Sequence, residues 1–506
     1  MFNLRGNQRT SGELSRKEGG KIFGSGSRTP ISITILVRKP NHTGSAAIHY
    51  EAVADYLSRE EKLALVSERG SMLSDKMSLS SIAPNEAGDW INQRDGLFET
   101  FIGLAPEKKY DTKSSTVFVI NSRGLETSRD SIVYSSSLSN LKNNVRDMIS
   151  RYNKQREEFH SVENKVKDLL SFIHDEDARI IWTRGTKRNC ENNVSYSFDE
   201  SNIRTGVYRP FFKQHTYVSA QANEYVNHWL RFFPTPQSKN LVICVPGVGT
   251  KKGFMPFIVD TLPDVQLQFN GQCFPLYYYE KNDRDALSLF DNGEDEFVRR
   301  DAITDFILQR AREEYGPRTT KEDVFYYVYG ILHAKEYRER FAADLQKSLP
   351  RLPLVEDTKT FRAFVSAGKK LASLHLNYES IEPHSSVIVE NDSAAPKVQQ
   401  MRFGKSNGEE DKSIIHFNDT IRIINIPLRA YDWQVNGKSP IEWIMERYAV
   451  TVNRDSQIRN DPNEWCKEIK QPRYILELIG RIVNVSIQTL DLIATLPPLS
   501  FKTSAS

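Results

Sequence analysis

The chain first shows its fold class in the run PISITILV at residues 30–37. This run is rich in β-branched residues, which favour a strand buried on at least one face, and residues 46–50 (AAIHY) are expected to pair with it across a turn at residues 40–44. A helix is expected to begin after Ser58, because this N-cap residue is followed three positions later by Glu61. The order strand, turn, strand, helix predicts a compact α/β unit in this part of the chain.

Strand and helix patterns alternate along the rest of the sequence. The predicted strands cover residues 116–120, 241–245 and 274–279, and the predicted helices lie around residues 303–311 and 320–331. Residues 389–413 have few apolar anchors and are expected to form a long loop or the tip of a hairpin. The alternation predicts a mixed α/β fold.

A long polar helix is predicted from residue 138 to about residue 172. Its apolar side chains keep helical spacing at Leu141, Val145, Met148, Ile149 and Tyr152. The remaining positions are mostly polar, so a single face of the helix is expected to be buried. We expect this helix to bridge one domain to the next.

The composition fits a large globular protein without bulk charge. At about 150 residues per domain, 506 residues are expected to form roughly two to four domains. Hydrophobic residues make up 39% of the chain, which excludes global disorder. The 68 Lys and Arg residues are nearly balanced by 65 Asp and Glu residues, so any contact with nucleic acid has to come from a local basic face.

The cysteines and the apolar runs exclude several protein classes. Cysteines stand far apart at residues 190, 244, 273 and 466, which argues against a zinc ribbon and a disulfide scaffold and favours a reducing cytoplasm. The histidines are scattered, so no metal site is predicted. No apolar run approaches the roughly 18 residues of a membrane span, and the first residues contain no signal core. We therefore expect a protein that neither is secreted nor crosses a membrane.

Catalytic signatures are absent from the sequence, so no catalytic residue is predicted. It contains no His-Glu-x-x-His, no Gly-x-Ser-x-Gly and no Gly-x-x-x-x-Gly-Lys-Ser/Thr phosphate loop. The nearest pattern is GVGTKKG at residues 247–253, whose lysines we expect to face solvent or a nucleic-acid backbone. The alternative is a nucleotide-binding enzyme built around this loop. The acidic runs at residues 174–177 and 292–296 are interpreted as solvated surface.

Basic residues near the start of the chain are the strongest physical lead to a function. Glycines are interleaved with them, so a flexible backbone can approach phosphates while the cations neutralise the negative charge. The cations are Arg5, Arg9, Arg16, Lys17, Lys21 and Arg28. This pattern favours a loop that faces DNA, and a solvated or disordered tail is the alternative.

A second candidate contact lies in SRGLETSRD at residues 122–130. Arg123 and Arg129 flank a predicted turn and are of the residue type that contacts phosphate or guanine. The alternative is a surface turn that holds a local Arg–Asp pair.

Several longer stretches resemble one known family. Residues 4–40 and 49–63, LRGNQRTSGELSRKEGGKIFGSGSRTPISITILVRKP and HYEAVADYLSREEKL, resemble the back half of the methyltransferase domain of Type ISP restriction-modification enzymes. The target-recognition domain that follows it in those enzymes is similar to SRGLETSRDSIVY at 122–134, YRPF at 208–211, FPLYYYE at 274–280 and the stretch at 323–354 that begins DVFYYVYGIL. The resemblance extends over almost the entire chain.

The resemblance implies a division of the chain and a function. Residues 1–110 would be the C-terminal part of an adenine-N6 DNA methyltransferase with a Rossmann-like sheet, and residues 111–506 would be the domain that recognises double-stranded DNA. The full bacterial enzyme would use S-adenosylmethionine for methylation, and ATP and Mg in its helicase and nuclease parts. The cofactor loop and the Asn-Pro-Pro-Tyr/Phe motif are not found in this sequence, so we expect the chain to be inactive alone.

The resemblance also implies a pocket for a flipped base. In methyltransferases of this type, the segment before the Ile-rich strand lines that pocket, which would place Lys17, Lys21 and Phe23 beside the extruded adenine. Phe23 would stack on the base, and a core Phe at the start of a strand is the alternative. The missing enzyme parts would belong to the same polypeptide or to a separate upstream chain to which this one docks.

Overall fold

The protein has two hydrophobic cores. The structure, a computed structural model, describes residues 1–9, 12–24, 26–41, 43–106, 108, 110–161, 169–173, 178–282, 296–393 and 396–501. A small core is formed by Phe2, Leu4, Ile22 and Val53. A large core draws its buried side chains from Phe98 to Val485. We call the parts around these cores the N-terminal unit and the larger domain.

The N-terminal unit is a four-stranded sheet with two helices, and its strand pairing differs from the prediction. The sheet order is Ile31–Ile33, Phe2–Arg5, Ile48–Ala52, Ser80–Ile82, and the helices are Gly12–Glu18 and Arg59–Arg69. The strand that begins at Phe2 lies between the two strands that were expected to pair with each other. It takes the central place because Phe2 and Leu4 are core residues, both 3% exposed.

The helix start predicted at Ser58 is confirmed. The Ser58 hydroxyl accepts a hydrogen bond from the Glu61 amide, and the Glu61 carboxylate accepts one from the Ser58 amide. This reciprocal pair is the capping box that the sequence spacing predicts. The predicted strand at residues 30–37 is shorter than expected, since it ends at Ile33 and leaves Leu36 and Val37 exposed.

The described part of the larger domain contains three four-stranded sheets and three two-stranded antiparallel pairs. The strand order of the first sheet is Phe257–Val259, Val242–Val245, Gln272–Pro275, Ser122–Arg123. The strand order of the second sheet is Leu262–Pro263, Ile203–Arg209, Phe212–Tyr217, Tyr134–Ser135. The strand order of the third sheet is Ile388–Glu390, Arg422–Ile424, Glu409–His416, Arg402–Ser406. The pairs are Tyr277–Lys281 with Phe297–Asp301, Ile102–Gly103 with Arg351–Leu352, and Thr451–Val452 with Arg459–Asn460. Together with the helices, these sheets confirm the mixed α/β fold class.

Helices cover and connect these sheets. The α-helices are Asp130–Val133, Leu138–Ser161, Leu169–Phe172, Arg184–Glu191, Trp229–Phe232, Asp305–Tyr315, Lys321–His333, Lys335–Arg340, Ala342–Lys347, Thr358–Leu376, Pro440–Arg447, Pro462–Glu468 and Tyr474–Ala494. Short 3₁₀ turns lie at Phe98–Thr100, Glu200–Asn202, Tyr378–Ser380 and Leu428–Tyr431. The long helix that begins at Leu138 buries the five apolar side chains that the sequence pattern predicts.

Two sequence predictions need correction or refinement. Residues 116–120 are not a regular strand, because only Phe118 and Ile120 make isolated bridges, to Ile303 and Tyr110. Residues 117–120 are nevertheless buried in the core. Their apolar, largely β-branched side chains therefore indicate burial and not strand pairing. Residues 389–413 contain the turn of a hairpin at Asn407 and Gly408, which both adopt positive φ angles.

Candidate nucleic-acid interface

A groove begins where the N-terminal unit meets the larger domain and continues over the larger domain. It consists of adjoining cavities of about 690, 480, 580 and 280 Å³ that share lining residues. Gln346 lines the first and second cavities, Asp432 and Gln434 the second and third, and Glu446 the third and fourth. We call this feature the interdomain groove. Because the four cavities adjoin one another, the groove suits an extended ligand better than a small molecule.

Cations outnumber carboxylates along the interdomain groove. The lining cations are Arg5, Arg16, Lys17, Lys251, Lys252, Arg338, Lys412, Lys438 and Arg447, and the lining carboxylates are Asp130, Glu18, Glu339, Asp432, Glu442 and Glu446. The net charge of the whole chain is only +3, so this groove concentrates positive charge locally. A groove with one sign of charge in excess attracts a polyanion such as DNA.

The N-terminal unit contributes a rigidly held segment to this groove. The Lys62 side chain is 0% exposed, and its ammonium donates hydrogen bonds to the carbonyls of Glu18 at 2.6 Å and Gly20 at 2.8 Å. Arg59 Nε donates to the Ile22 carbonyl at 2.8 Å. The helix that begins at Arg59 therefore fixes the backbone that carries Lys17, Lys21 and Phe23.

The structure shows where the three base-pocket candidates lie. Lys17 is exposed and lines the groove. Phe23 is 55% exposed, whereas its neighbour Ile22 is in the small core, so Phe23 is not the core residue that the alternative interpretation required. Lys21 is half-buried on the same segment, and it does not line the groove.

The arginine candidates of the N-terminal unit have different surroundings. Arg5 lines the groove and forms ion pairs with Asp55 and Glu18, so part of its charge is neutralised within the chain. Arg9 and Arg28 are exposed. The Arg28 carbonyl accepts a hydrogen bond from the Gln8 amide at 3.0 Å, which connects the two ends of this segment.

Arg123 and Arg129 differ sharply, and Arg129 requires a correction. Arg123 is 44% exposed and pairs with Glu126 at 3.3 Å, not with the aspartate that the alternative interpretation named. Arg129 is 2% exposed. Its guanidinium donates to the carbonyls of Ile181, Gln221 and Ala222 and to the hydroxyls of Thr183 and Thr186. Because those bonds hold the Arg129 side chain inside the domain, Arg129 is not available to contact DNA.

The glycine-rich loop at residues 247–253 carries two lysines into the groove. It follows the strand Val242–Val245, as predicted, but the next described element is the strand Phe257–Val259 and not a helix. Phosphate loops of nucleotide-binding enzymes place the phosphates at a helix N-terminus, which this loop lacks. The loop geometry therefore disfavours the nucleotide-binding alternative.

Electrostatic repulsion links Lys252, at the end of this loop, with Arg209, Arg447 and Lys438. Burial lowers the pKa of Lys252, and the positive charges of Arg209 and Arg447 lower it further. The pKa of Lys438 is lowered by burial and by its cationic neighbours Arg447 and Lys252, although Glu442 opposes this effect. Burial is the main cause of both shifts, and repulsion from neighbouring cations adds to it.

No metal site stands out in the described part of the chain. No group of three or more His, Cys, Asp or Glu side chains there has an arrangement that could hold an ion. The four cysteines are buried and free. The acidic runs at residues 174–177 and 292–295 lie outside the described residues, so their interpretation as solvated surface stays a prediction. No described helix is long and apolar enough to span a membrane.

Comparison with known families identifies the larger domain. A family described as the Type ISP C-terminal specificity domain matches residues 116–478. The chain belongs to the Type ISP family. The resemblance found in the sequence is thereby confirmed, and the specificity domain contains the glycine-rich loop, Lys438 and Arg447.

Three solved structures are similar to almost the whole chain. A nuclease-deletion mutant of the Type ISP restriction-modification enzyme LlaGI, in complex with a DNA substrate mimic, has 36% identity and a TM-score of 0.85. The ATP-dependent Type ISP restriction-modification enzyme LlaBIII bound to DNA has 32% identity and a TM-score of 0.85. A DrdV–DNA complex has 27% identity and a TM-score of 0.80.

These relatives are much longer than this chain. The matches cover 99% of this chain but only 44% of the LlaGI chain, 31% of the LlaBIII chain and 48% of the DrdV chain. This chain thus corresponds to less than half of each of those proteins. No match was found among curated proteins.

Sequence reasoning missed two cations of the groove and the buried lysine of the N-terminal unit. No sequence motif marks these side chains. The segments around Lys62, Lys438 and Arg447 are ordinary amphipathic or polar sequences. Lys252 was noticed only as part of a loop with the wrong nucleotide spacing. Only the three-dimensional structure brings Lys252 into the same groove as the other two cations, since residue 252 is far from residues 438 and 447 in the chain.

Proposed function

We propose that this chain recognises a specific sequence in double-stranded DNA, as the specificity part of a Type ISP restriction-modification enzyme. The excess of cations along the interdomain groove carries the proposal. The similar LlaGI, LlaBIII and DrdV structures, each solved with DNA or a DNA mimic, support it. We infer that the duplex lies along the groove, between the N-terminal unit and the larger domain.

Phosphate contacts and base contacts would contribute differently to recognition. Exposed or groove-lining cations at Arg5, Arg9, Lys17, Arg28 and Arg123 would neutralise phosphates, which makes binding dependent on salt. Hydrogen bonds to base edges in the major groove would select the sequence, with about 1–3 kcal/mol of discrimination for each bidentate pair.

The N-terminal unit would contribute to chemistry that the whole enzyme performs. We propose that residues 1–110 are the C-terminal part of an adenine-N6 methyltransferase with a Rossmann-like sheet, and residues 111–506 the specificity domain. Phe23 would stack on a flipped adenine, beside Lys17 and Lys21. S-adenosylmethionine binding and the ATP-dependent and nuclease steps would belong to the additional length that the relatives possess, in a bacterial cytoplasm.

A separate polypeptide that supplies the methyltransferase core is the second candidate arrangement. Among the described strands, the edge strand Ile31–Ile33 pairs only with Phe2–Arg5. The chain beyond it exposes Ile35, Leu36 and Val37 by 57%, 83% and 79%. An open sheet edge followed by an exposed apolar run is a site at which another strand can add.

Charge reversal across the groove tests the proposed DNA path. Lys17 of the N-terminal unit and Lys251 of the larger domain line the same cavity, so Lys17→Glu with Lys251→Glu is expected to weaken duplex binding by at least tenfold at low salt. The matched control is Lys154→Glu with Lys335→Glu, since these lysines are 77% and 72% exposed and lie outside the groove. Equal losses in both double variants would contradict binding along the groove.

A further inference from the structure

We propose that Asp432 and Gln434 are two of the side chains that read base edges when a duplex lies in the interdomain groove. The inference rests on the proposed function and deepens it, because it names residues that determine sequence specificity. Phosphate contacts position a protein on DNA, whereas polar contacts to base edges select the sequence. A side chain that reads bases needs a fixed position in the groove and polar atoms without other partners, and both residues meet these conditions.

Both residues lie at the middle of the groove. Asp432 and Gln434 line the second cavity, of about 480 Å³, and also the third, of about 580 Å³. The first cavity adjoins the second, and the fourth adjoins the third. A duplex that follows the groove over its length therefore passes these two side chains.

Buried and exposed side chains alternate along this segment of the chain. Tyr431, Trp433 and Val435 are buried, whereas Asp432 and Gln434, which stand between them, are exposed. An extended backbone that lies on a core produces this alternation, because successive side chains point to opposite sides. The polar atoms of residues 432 and 434 are thus presented to the groove and not to the core.

The buried neighbours fix the backbone of this segment. Trp433 is 0% exposed, and its ring stacks on the ring of His375 with 4.6 Å between the ring centroids. The side-chain amide of Asn436 donates hydrogen bonds to the carbonyls of Gln266 at 3.0 Å and Leu267 at 3.3 Å. Because the backbone is held in place before DNA binds, binding has to order only the exposed side chains.

The polar atoms of both side chains have no partner within the described part of the chain. Two other carboxylates of the third cavity, those of Glu442 and Glu446, form ion pairs with cations of the groove. Asp432, in contrast, has no described cation within ion-pair distance, and neither its side chain nor that of Gln434 makes a hydrogen bond to a described residue. These atoms are therefore available to a ligand.

The two side chains select different hydrogen-bonding groups of the bases. A carboxylate only accepts hydrogen bonds and is repelled by phosphates, so Asp432 suits an amino group of a base. In the major groove, this group is the N4 amino group of cytosine or the N6 amino group of adenine. The amide of Gln434 both donates and accepts, which matches N7 and the N6 amino group of adenine.

Binding to altered target sites tests this inference. The sequence that the wild-type chain enriches from a random duplex pool is determined first, and each of its base pairs is then varied. For Asp432→Asn, which replaces an acceptor by a donor of nearly the same shape, we expect the preference at one base pair with cytosine or adenine to fall by about tenfold. For Gln434→Ala, we expect a fall of about tenfold at a base pair with adenine.

Binding to random-sequence DNA separates base reading from phosphate contact. Neither variant loses a positive charge, so we expect the affinity for random-sequence DNA and its salt slope not to fall. Asp75→Asn and Gln309→Ala are the matched controls, because Asp75 and Gln309 are exposed and do not line the groove. Both controls are expected to keep the wild-type specificity, and thermal unfolding confirms that each sample is folded.

Three results would overturn the inference. If the wild type enriches a sequence and either variant keeps the wild-type preference at every base pair, the assignment of the two residues is wrong and the proposed function stands. An equal loss of affinity for the target site and for random-sequence DNA would show a general contact and not base reading. If the folded wild type enriches no sequence, the proposed function fails, and the inference fails with it.

Discussion

At the scale of single residues, Lys62 shows how one buried cation fixes a candidate site. Its ammonium binds two backbone carbonyls, those of Glu18 and Gly20, in the segment that carries Lys17 and Phe23. Burial lowers the pKa of Lys62, and the nearby Glu18 carboxylate partly offsets this effect. The contact is invisible in the sequence, where Lys62 belongs to an unremarkable amphipathic helix.

Replacement of Lys62 by Met is expected to loosen the segment that contains residues 17–23. The two carbonyls would lose their buried donor, at a cost of about 1–3 kcal/mol in the free energy of unfolding. Hydrogen exchange is expected to rise in this segment, and DNA affinity to fall with it. Lys76→Met is the control, since Lys76 is 55% exposed. Unchanged exchange at residues 17–23 in Lys62→Met would show that Lys62 does not hold the segment.

His333 is expected to make stability depend on pH. Burial lowers its pKa to about 3, and its Nδ1 lies 2.8 Å from the Tyr329 carbonyl. The folded pKa lies below the unfolded value of about 6.5, so the unfolded state binds more protons between these values. The stabilisation is complete above about pH 6.5 and is lost as the pH falls, by about 2 kcal/mol between pH 6.5 and 5.

Denaturant unfolding of His333→Gln across this pH range measures the effect. The variant is expected to lose less stability than the wild type on acidification, whatever its stability at neutral pH. His49→Gln is the control, because His49 is exposed. Identical pH slopes for His333→Gln and the wild type would contradict a buried, neutral His333. The nearby His375, whose pKa burial also lowers, is expected to maintain part of the slope in the variant.

At the scale of secondary-structure elements, the sequence predicted a helix cap and a buried helix face correctly, but it did not predict which strands pair. The capping box at Ser58 and the buried face of the helix Leu138–Ser161 depend on residues within a few turns, so the sequence pattern specifies them. Strand pairing depends on distant segments. The strand Phe2–Arg5 displaces the expected neighbour of Ile31–Ile33 because its own side chains fill the small core.

The open edge beyond Ile33 leads to a prediction about self-association. Exposed, apolar, unpaired edges promote contacts between molecules, and a lysine at such an edge opposes them. Leu36→Lys is expected to reduce light scattering of the concentrated protein without lowering its melting temperature, since Leu36 is 83% exposed. Leu73→Lys is the control, because Leu73 is a 97% exposed leucine outside the described strands. An equal reduction by both variants would show that the edge has no special role.

At the scale of the whole molecule, the family and its fold class followed from sequence, whereas the site required three dimensions. The string at residues 323–354 carried a resemblance that the family match over residues 116–478 confirmed. The order of residues in the chain says nothing about the interdomain groove, which joins residues near 17, 252, 346 and 438. The prediction that Arg129 contacts DNA was wrong. Its charged side chain occurs in a turn-like sequence but is buried inside the domain.

Selection of bound duplexes from a random pool tests the central claim most directly. At about physiological salt, nonspecific phosphate binding is weak, so enrichment reports base recognition. We expect the folded chain to enrich one short sequence that contains adenine, and the Lys17→Glu, Lys251→Glu variant to lose this enrichment. Binding without an enriched sequence, or no binding by a folded sample, would contradict recognition of a DNA target by this chain.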